Sequence, residues 1–110
     1  MRYVDIELNG HNWRMPVNYA VSKAIAERVH DPLQMTMRIA GKAWAWTQEH
    51  VIEVIFIGVS AAGSSLKREQ VAEAIVQAGV VEHIEFAGKY VALCVSGQPE
   101  RPVKDDGPKE

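Results

Sequence analysis

Residues 2–17 read RYVDIELNGHNWRMPV, and this stretch predicts a β-hairpin. Asn9-Gly10 is the strongest short hairpin signal, because both turn positions need a positive φ that these residue types tolerate. Its apolar side chains then share one face, which we expect to pack on the rest of the chain, since an isolated hairpin is marginal in water. We expect Pro16 to end the second strand. A two-residue loop predicts five facing pairs: Leu8 with His11, Ile6 with Trp13, Val4 with Met15, Asp5 with Arg14, and Glu7 with Asn12.

After the hairpin, apolar residues recur at the spacing typical of helices as far as Gly97. Small polar residues precede several apolar runs and can accept hydrogen bonds from the first turn of a helix, whereas glycine and proline mark helix ends. In the helix that begins at Pro32, we expect Leu33, Met37 and Ala40 to line the buried face. The predicted helix boundaries are the N-terminal caps Asn18, Thr47 and Ser65, the helix start Pro32, and the C-terminal stops Gly41, Gly63 and Gly79.

The segment VIEVIFI, residues 51–57, carries opposing signals. Its β-branched residues locally favour a strand. Its flanks favour a helix, because Thr47 precedes it as a cap, Glu49 lies in the first turn where the helix dipole favours an acid, and Gly63 follows as a stop. We therefore predict a buried central helix.

These elements predict an α+β fold that is mostly α, with the N-terminal hairpin packed on a bundle of four to five helices. The predicted domain spans residues 1–97. In residues 98–110 the composition changes: three of the five prolines of the chain lie there, no aromatic residue does, and charges of both signs alternate. Such a segment cannot bury a core, so we predict a disordered polar tail.

The composition argues against two classes of partner. A net charge of −2 provides no basic field to attract nucleic acid. The longest apolar stretch, residues 51–59, is interrupted by Glu53 and is far shorter than a membrane span.

The single cysteine, Cys94, lies in an apolar run, which predicts a buried, reduced thiol and fits a cytosolic setting.

No residue pattern supports catalysis or a cofactor. None of the four histidines pairs with another at metal-ligand spacing, and the acids beside His50 and His83 predict solvated charged faces. Residues 58–65, GVSAAGSS, lack the lysine that a phosphate-binding loop requires. The neighbours of Cys94 predict a core residue rather than a nucleophile. We expect a non-enzymatic protein that holds neither metal nor cofactor.

A small DNA-binding regulator is one alternative, because residues 67–93 can be read as a helix-turn-helix. In that arrangement Glu82 and Glu85 would open the recognition helix and be repelled by phosphates. The charge pattern therefore favours two packed helices without a nucleic-acid partner.

Trp44 and Trp46 are candidate partner-binding residues. They lie two positions apart in a short connector, so we do not expect both rings to point into one core. Either one ring is buried and the other covers the domain edge, or at least one lies on a partner-binding surface, where tryptophan is enriched. Met35 and Met37 are candidates as well, since methionine fills cores and also suits adaptable apolar surfaces.

The order of elements as a whole resembles a known family. After the hairpin and a capped helix come TQEHVIEVIFIGV at 47–59, LKREQVAEAIVQAG at 66–79, and a final apolar helix. This layout is similar to the small tail assembly chaperones of gene transfer agents and related siphophage-type prophages, which are sometimes labelled tail tube proteins. The resemblance covers residues 2–97, and its most characteristic part is the middle helix with a small-residue end at Gly58, Ala61, Ala62 and Gly63.

The resemblance implies a non-enzymatic role in the bacterial cytoplasm. Family members bind the long, aggregation-prone tape-measure protein and bring tail tube subunits to it, and docking of a client helix in an apolar groove would suit that role. The family carries no residue-specific motif that assigns a site. The alternative is a structural tail-tube or tail-completion subunit, although tube proteins are typically β-rich. Whether the chain forms a homo-oligomer stays open.

Overall fold

A computed structural model describes residues 2–96, and its elements are one antiparallel hairpin followed by five α-helices. This confirms the predicted fold class. Gly97 and the predicted tail at 98–110 lie outside the described residues. The elements are β1 (Arg2–Leu8), β2 (His11–Val17), α1 (Tyr19–Arg28), α2 (Pro32–Ala40), α3 (Gln48–Ala61), α4 (Arg68–Ala78), a 3₁₀ segment (Val81–His83) and α5 (Ile84–Ser96).

The hairpin forms as its turn predicts. Asn9 and Gly10 have φ values of 53° and 80°, and all five predicted pairs face each other. The prediction that Pro16 ends the strand is wrong, because β2 continues to Val17 and Pro16 faces Tyr3. Hydrogen-bonded and non-hydrogen-bonded pairs alternate along the hairpin from the pair beside the turn, and the pair of Tyr3 and Pro16 is of the second kind. The missing N–H of proline therefore removes no hydrogen bond from the hairpin.

Local hydrogen bonds begin the helices. Asn18 Oδ1 accepts a 2.9 Å bond from the Val21 N–H, and Thr47 Oγ1 accepts a 3.0 Å bond from the His50 N–H, as predicted. Ser65 does not cap α4, which begins three residues later. There the Gln70 side chain accepts a 2.7 Å bond from the backbone of Lys67, so a longer side chain reaching back replaces the predicted cap.

Helix α3 is the centre of the core, which confirms the helical interpretation of residues 51–57. It packs against β2, α1, α4 and α5. Its β-branched side chains are buried on several sides of the helix, and this packing outweighs their local preference for a strand. The buried residues of α3 are Val51, Ile52, Val54, Ile55, Ile57, Gly58 and Val59.

Helix α2 buries the opposite face from the one predicted. Met35 is completely buried, whereas Leu33 and Met37 are 53% and 61% exposed and Ala40 is also exposed. This nine-residue helix carries apolar side chains on two faces, and it packs against α5 through the face that contains Met35 and Ile39. The periodicity of α2 allowed either face, and its neighbours determine which one is covered.

Candidate partner-binding site

The surface of α2 carries an exposed apolar strip formed by Leu33, Met37 and Ala40, which we call the α2 strip. The spacing of four and three residues places these side chains in one row along the helix. On the opposite face, Met35 is held in the core, so the helix cannot turn the strip inward without exposing another apolar side chain. The strip is therefore a fixed apolar surface.

The strip is basic at its C-terminal end. Arg38 and Lys42 are exposed there, and helix α2 itself contains no acidic residue. Asp31, at the other end, uses its carboxylate to accept a 3.0 Å hydrogen bond from the Gln34 N–H. The surface thus suits an apolar partner with acidic flanks.

The connector after α2 holds an aromatic cluster around Trp44. The Trp44 ring stacks on His50 with the centroids 5.6 Å apart, stands edge-on to Trp46 at 5.8 Å, and lies 5.4 Å from His30. Both tryptophans are half-buried and pack against the core. Neither ring is fully buried, and the edge-to-face arrangement lets the two rings share one site at the border of the core.

Two polar atoms inside this cluster are buried without a hydrogen-bond partner among residues 2–96. They are the indole Nε1 of Trp44 and the Nδ1 of His50. The cluster lies between the C-terminal end of α1 and the first turn of α3.

The four candidate residues therefore occupy different environments. Met35 does not lie on the surface, because it is completely enclosed by the core, and this corrects its assignment to a partner-binding surface. Met37 lies on the α2 strip. Trp44 and Trp46 are half-buried in the connector. Leu33 was expected in the core and is exposed; the signal that could have found it is the second apolar row on a helix of nine residues.

The acids near His50 belong to an ion-pair network. Glu53 accepts bonds from Arg68 at 2.7 Å and from Arg28 at 3.4 Å, and its side chain is 15% exposed. Arg68 also reaches Glu49 at 2.8 Å, and this hydrogen bond holds the pKa of Glu49 below its ordinary value. The network joins α1, α3 and α4, and residues 2–96 contain no group of three or more histidine, cysteine or acidic side chains placed to hold a metal.

Cys94 is half-buried in α5. Burial raises its pKa to about 11, so the thiol is protonated at neutral pH. A protonated thiol is a poor nucleophile, and this property agrees with a packing role.

Comparisons of the chain with protein-family models, curated proteins and solved structures find no match. Within residues 2–96, every helix is too short or too polar to cross a bilayer. What supports a function is therefore the surface chemistry of the described residues, above all the α2 strip.

Proposed function

We propose that this chain is a non-enzymatic tail assembly chaperone of a phage or gene transfer agent, which binds the tape-measure protein in the bacterial cytoplasm and assists assembly of the tail tube. The observation that carries the proposal is the α2 strip, where Leu33 and Met37 are exposed together on one helix face. The order of elements, similar to that of the tail assembly chaperones, supports it.

The strip offers the chemistry that a helical client needs. An amphipathic client helix can lay its apolar face along Leu33 and Met37, and the flexible methionine adapts to clients of different shape. Arg38 and Lys42 then attract acidic residues beside that apolar face. A surface of this kind can hold many successive segments of a long client without recognising one sequence.

The test is co-expression of the full chain with the tape-measure protein of the same tail gene cluster, followed by size-exclusion chromatography of the soluble fraction. We expect a client that is insoluble alone to co-elute with this chain. The double variant Leu33→Gln/Met37→Gln should lose most of the co-elution. Val81→Gln is the matched control, because Val81 is 77% exposed and lies outside the strip.

Two results would contradict the proposal. One is a client that precipitates whether or not this chain is present. The other is a chain retained in purified tail particles in stoichiometric amount, which would indicate the structural tail-tube or tail-completion role instead.

A further inference from the structure

A groove of about 440 Å³ lies between β1 and α5, and none of its lining residues belongs to the α2 strip. Its strand wall consists of four consecutive residues, Arg2 to Asp5, and its helix wall consists of Phe86, Lys89 and Leu93. The spacing of three and four residues places the helix-wall side chains on one face of α5. Each wall is about 10 Å long, which matches roughly three residues of extended chain.

The strand wall is an open sheet edge. The described sheet has two strands, so β1 pairs with β2 on one side only. Leu8 and His11 flank the two-residue turn, and the alternation that starts there points the backbone N–H and C=O groups of Tyr3 and Asp5 away from β2. Among residues 2–96 these outward groups have no hydrogen-bond partner. An edge of this kind is a template for a further strand.

The side chains of the groove combine apolar contact with unmatched positive charge. Val4, Phe86 and Leu93 supply apolar surface. Arg2 and Lys89 also line the groove, and within residues 2–96 neither of them forms an ion pair.

The acid of the groove does not neutralise these cations. The carboxylate of Asp5 binds Arg14 at 3.1 Å, on the outer face of the hairpin. A ligand that complements this groove is therefore an extended chain that carries a carboxylate.

We propose that this groove binds an extended peptide segment of a partner protein, which adds to β1 as a third strand and places an acidic side chain against Arg2 and Lys89. The backbone groups of Tyr3 and Asp5 supply the hydrogen bonds, and Phe86 and Leu93 receive an apolar side chain of the peptide. The proposal does not rest on the tail-assembly function, because it uses neither α2 nor the client helix.

The test uses a phage-displayed library of random ten-residue peptides, selected on the immobilised full chain and then measured as synthetic peptides. We expect selected peptides to alternate apolar and polar residues and to contain an acid. Asp5→Pro should weaken their binding about tenfold, because it removes an outward N–H donor and leaves the ladder to β2 intact. Asp5→Ala is the matched control, since it removes the same carboxylate, keeps the N–H and should bind normally.

Further variants separate the groups involved. Arg2→Gln should weaken acidic peptides about fivefold and leave their neutral analogues unchanged. Leu33→Gln/Met37→Gln should bind the selected peptides as the parent chain does, so failure of the tail-assembly proposal and failure of this one give different results. Selected peptides that bind Asp5→Pro as tightly as the parent would overturn the groove proposal.

Amide hydrogen exchange of the full chain tests the same point without a variant. In the free chain the amides of Tyr3 and Asp5 should exchange much faster than that of Val4, and bound peptide should slow them at least tenfold. If both amides are already protected in the free chain, another part of this chain or a second copy covers the edge, and the proposal is overturned.

Discussion

The hydroxyl of Tyr90 donates a 2.6 Å hydrogen bond to the carbonyl oxygen of Pro16, which joins α5 to the edge of β2 across 74 positions of the chain. The register of the hairpin points this carbonyl away from β1, so no backbone N–H of β1 donates to it. Tyr90 is completely buried, and burial raises the pKa of its phenol, which stays protonated and able to donate. The Tyr90 side chain thus supplies the hydrogen bond that the outward-facing carbonyl of Pro16 does not receive from β1.

Replacing Tyr90 with phenylalanine should lower the free energy of unfolding by about 1–2 kcal/mol, because the ring remains and a buried carbonyl loses its partner. Urea unfolding monitored by circular dichroism measures the change. Tyr19→Phe is the control, since Tyr19 is 78% exposed and its hydroxyl makes no hydrogen bond within residues 2–96. Equal stability of the two variants would contradict a structural role for the bond.

Two glycines within helices should respond oppositely to alanine. At Gly58 a β-carbon would overlap the Met15 sulfur and lie 3.0 Å from Tyr90 Cε2, so Gly58→Ala should destabilise the chain by about 1–3 kcal/mol. At Gly88 a β-carbon would lie 3.8 Å from both Ile39 and Trp46, an ordinary contact. Gly88→Ala should therefore raise stability by about 0.5–1 kcal/mol through helix propensity.

Thermal and urea unfolding of both glycine variants check this contrast. A stabilised Gly58→Ala variant would mean that Met15 moves aside without loss of packing. A destabilised Gly88→Ala variant would mean that α2 and α5 pack more closely than the 3.8 Å distances indicate.

The variant Trp44→Ala should lower stability by about 2 kcal/mol or more, because the ring contacts His30, Trp46 and His50 and fills the space between them. Urea unfolding gives the stability, and the co-expression assay gives client binding at a temperature where the variant is folded. Unchanged stability with lost client binding would instead place Trp44 on the client surface.

Stability should fall on both sides of neutral pH. Folding raises the pKa of Cys94 from its ordinary 9.0 to about 11 and raises that of Tyr90 as well, so the unfolded chain loses these protons first and stability declines as pH rises above about 9. Arg68 lowers the pKa of Glu49 below its ordinary 4.5, so the stability from this pair is present above that pH and is lost as the pH falls further.

Urea unfolding between about pH 3 and pH 11 measures this profile. In the control Cys94→Ala, stability should fall less between pH 9 and pH 11 than in the parent chain. A parent chain whose free energy of unfolding rises above pH 9 would contradict the expected direction of this pH dependence.

The fold class and most element ends could be predicted from the sequence, but only part of the candidate site could. Asn9-Gly10 set the register of the hairpin, and Thr47 with Gly63 marked the central helix despite its strand-favouring residues. Met35 and Leu33 were both placed wrongly, one on the surface and one in the core. Their helix is apolar on two faces, so its periodicity contains no information about which face is covered.

The sequence by itself determined the features that depend on residues close together in the chain. The turn at Asn9-Gly10 and the caps at Asn18 and Thr47 each form through contacts across no more than a few positions, so local chemistry decides them. Only the tertiary structure decided that the Pro16 carbonyl meets Tyr90 and that Met37 faces outward. Those outcomes depend on which helix, distant in sequence, packs against each residue, and that is determined by the packing of the whole core.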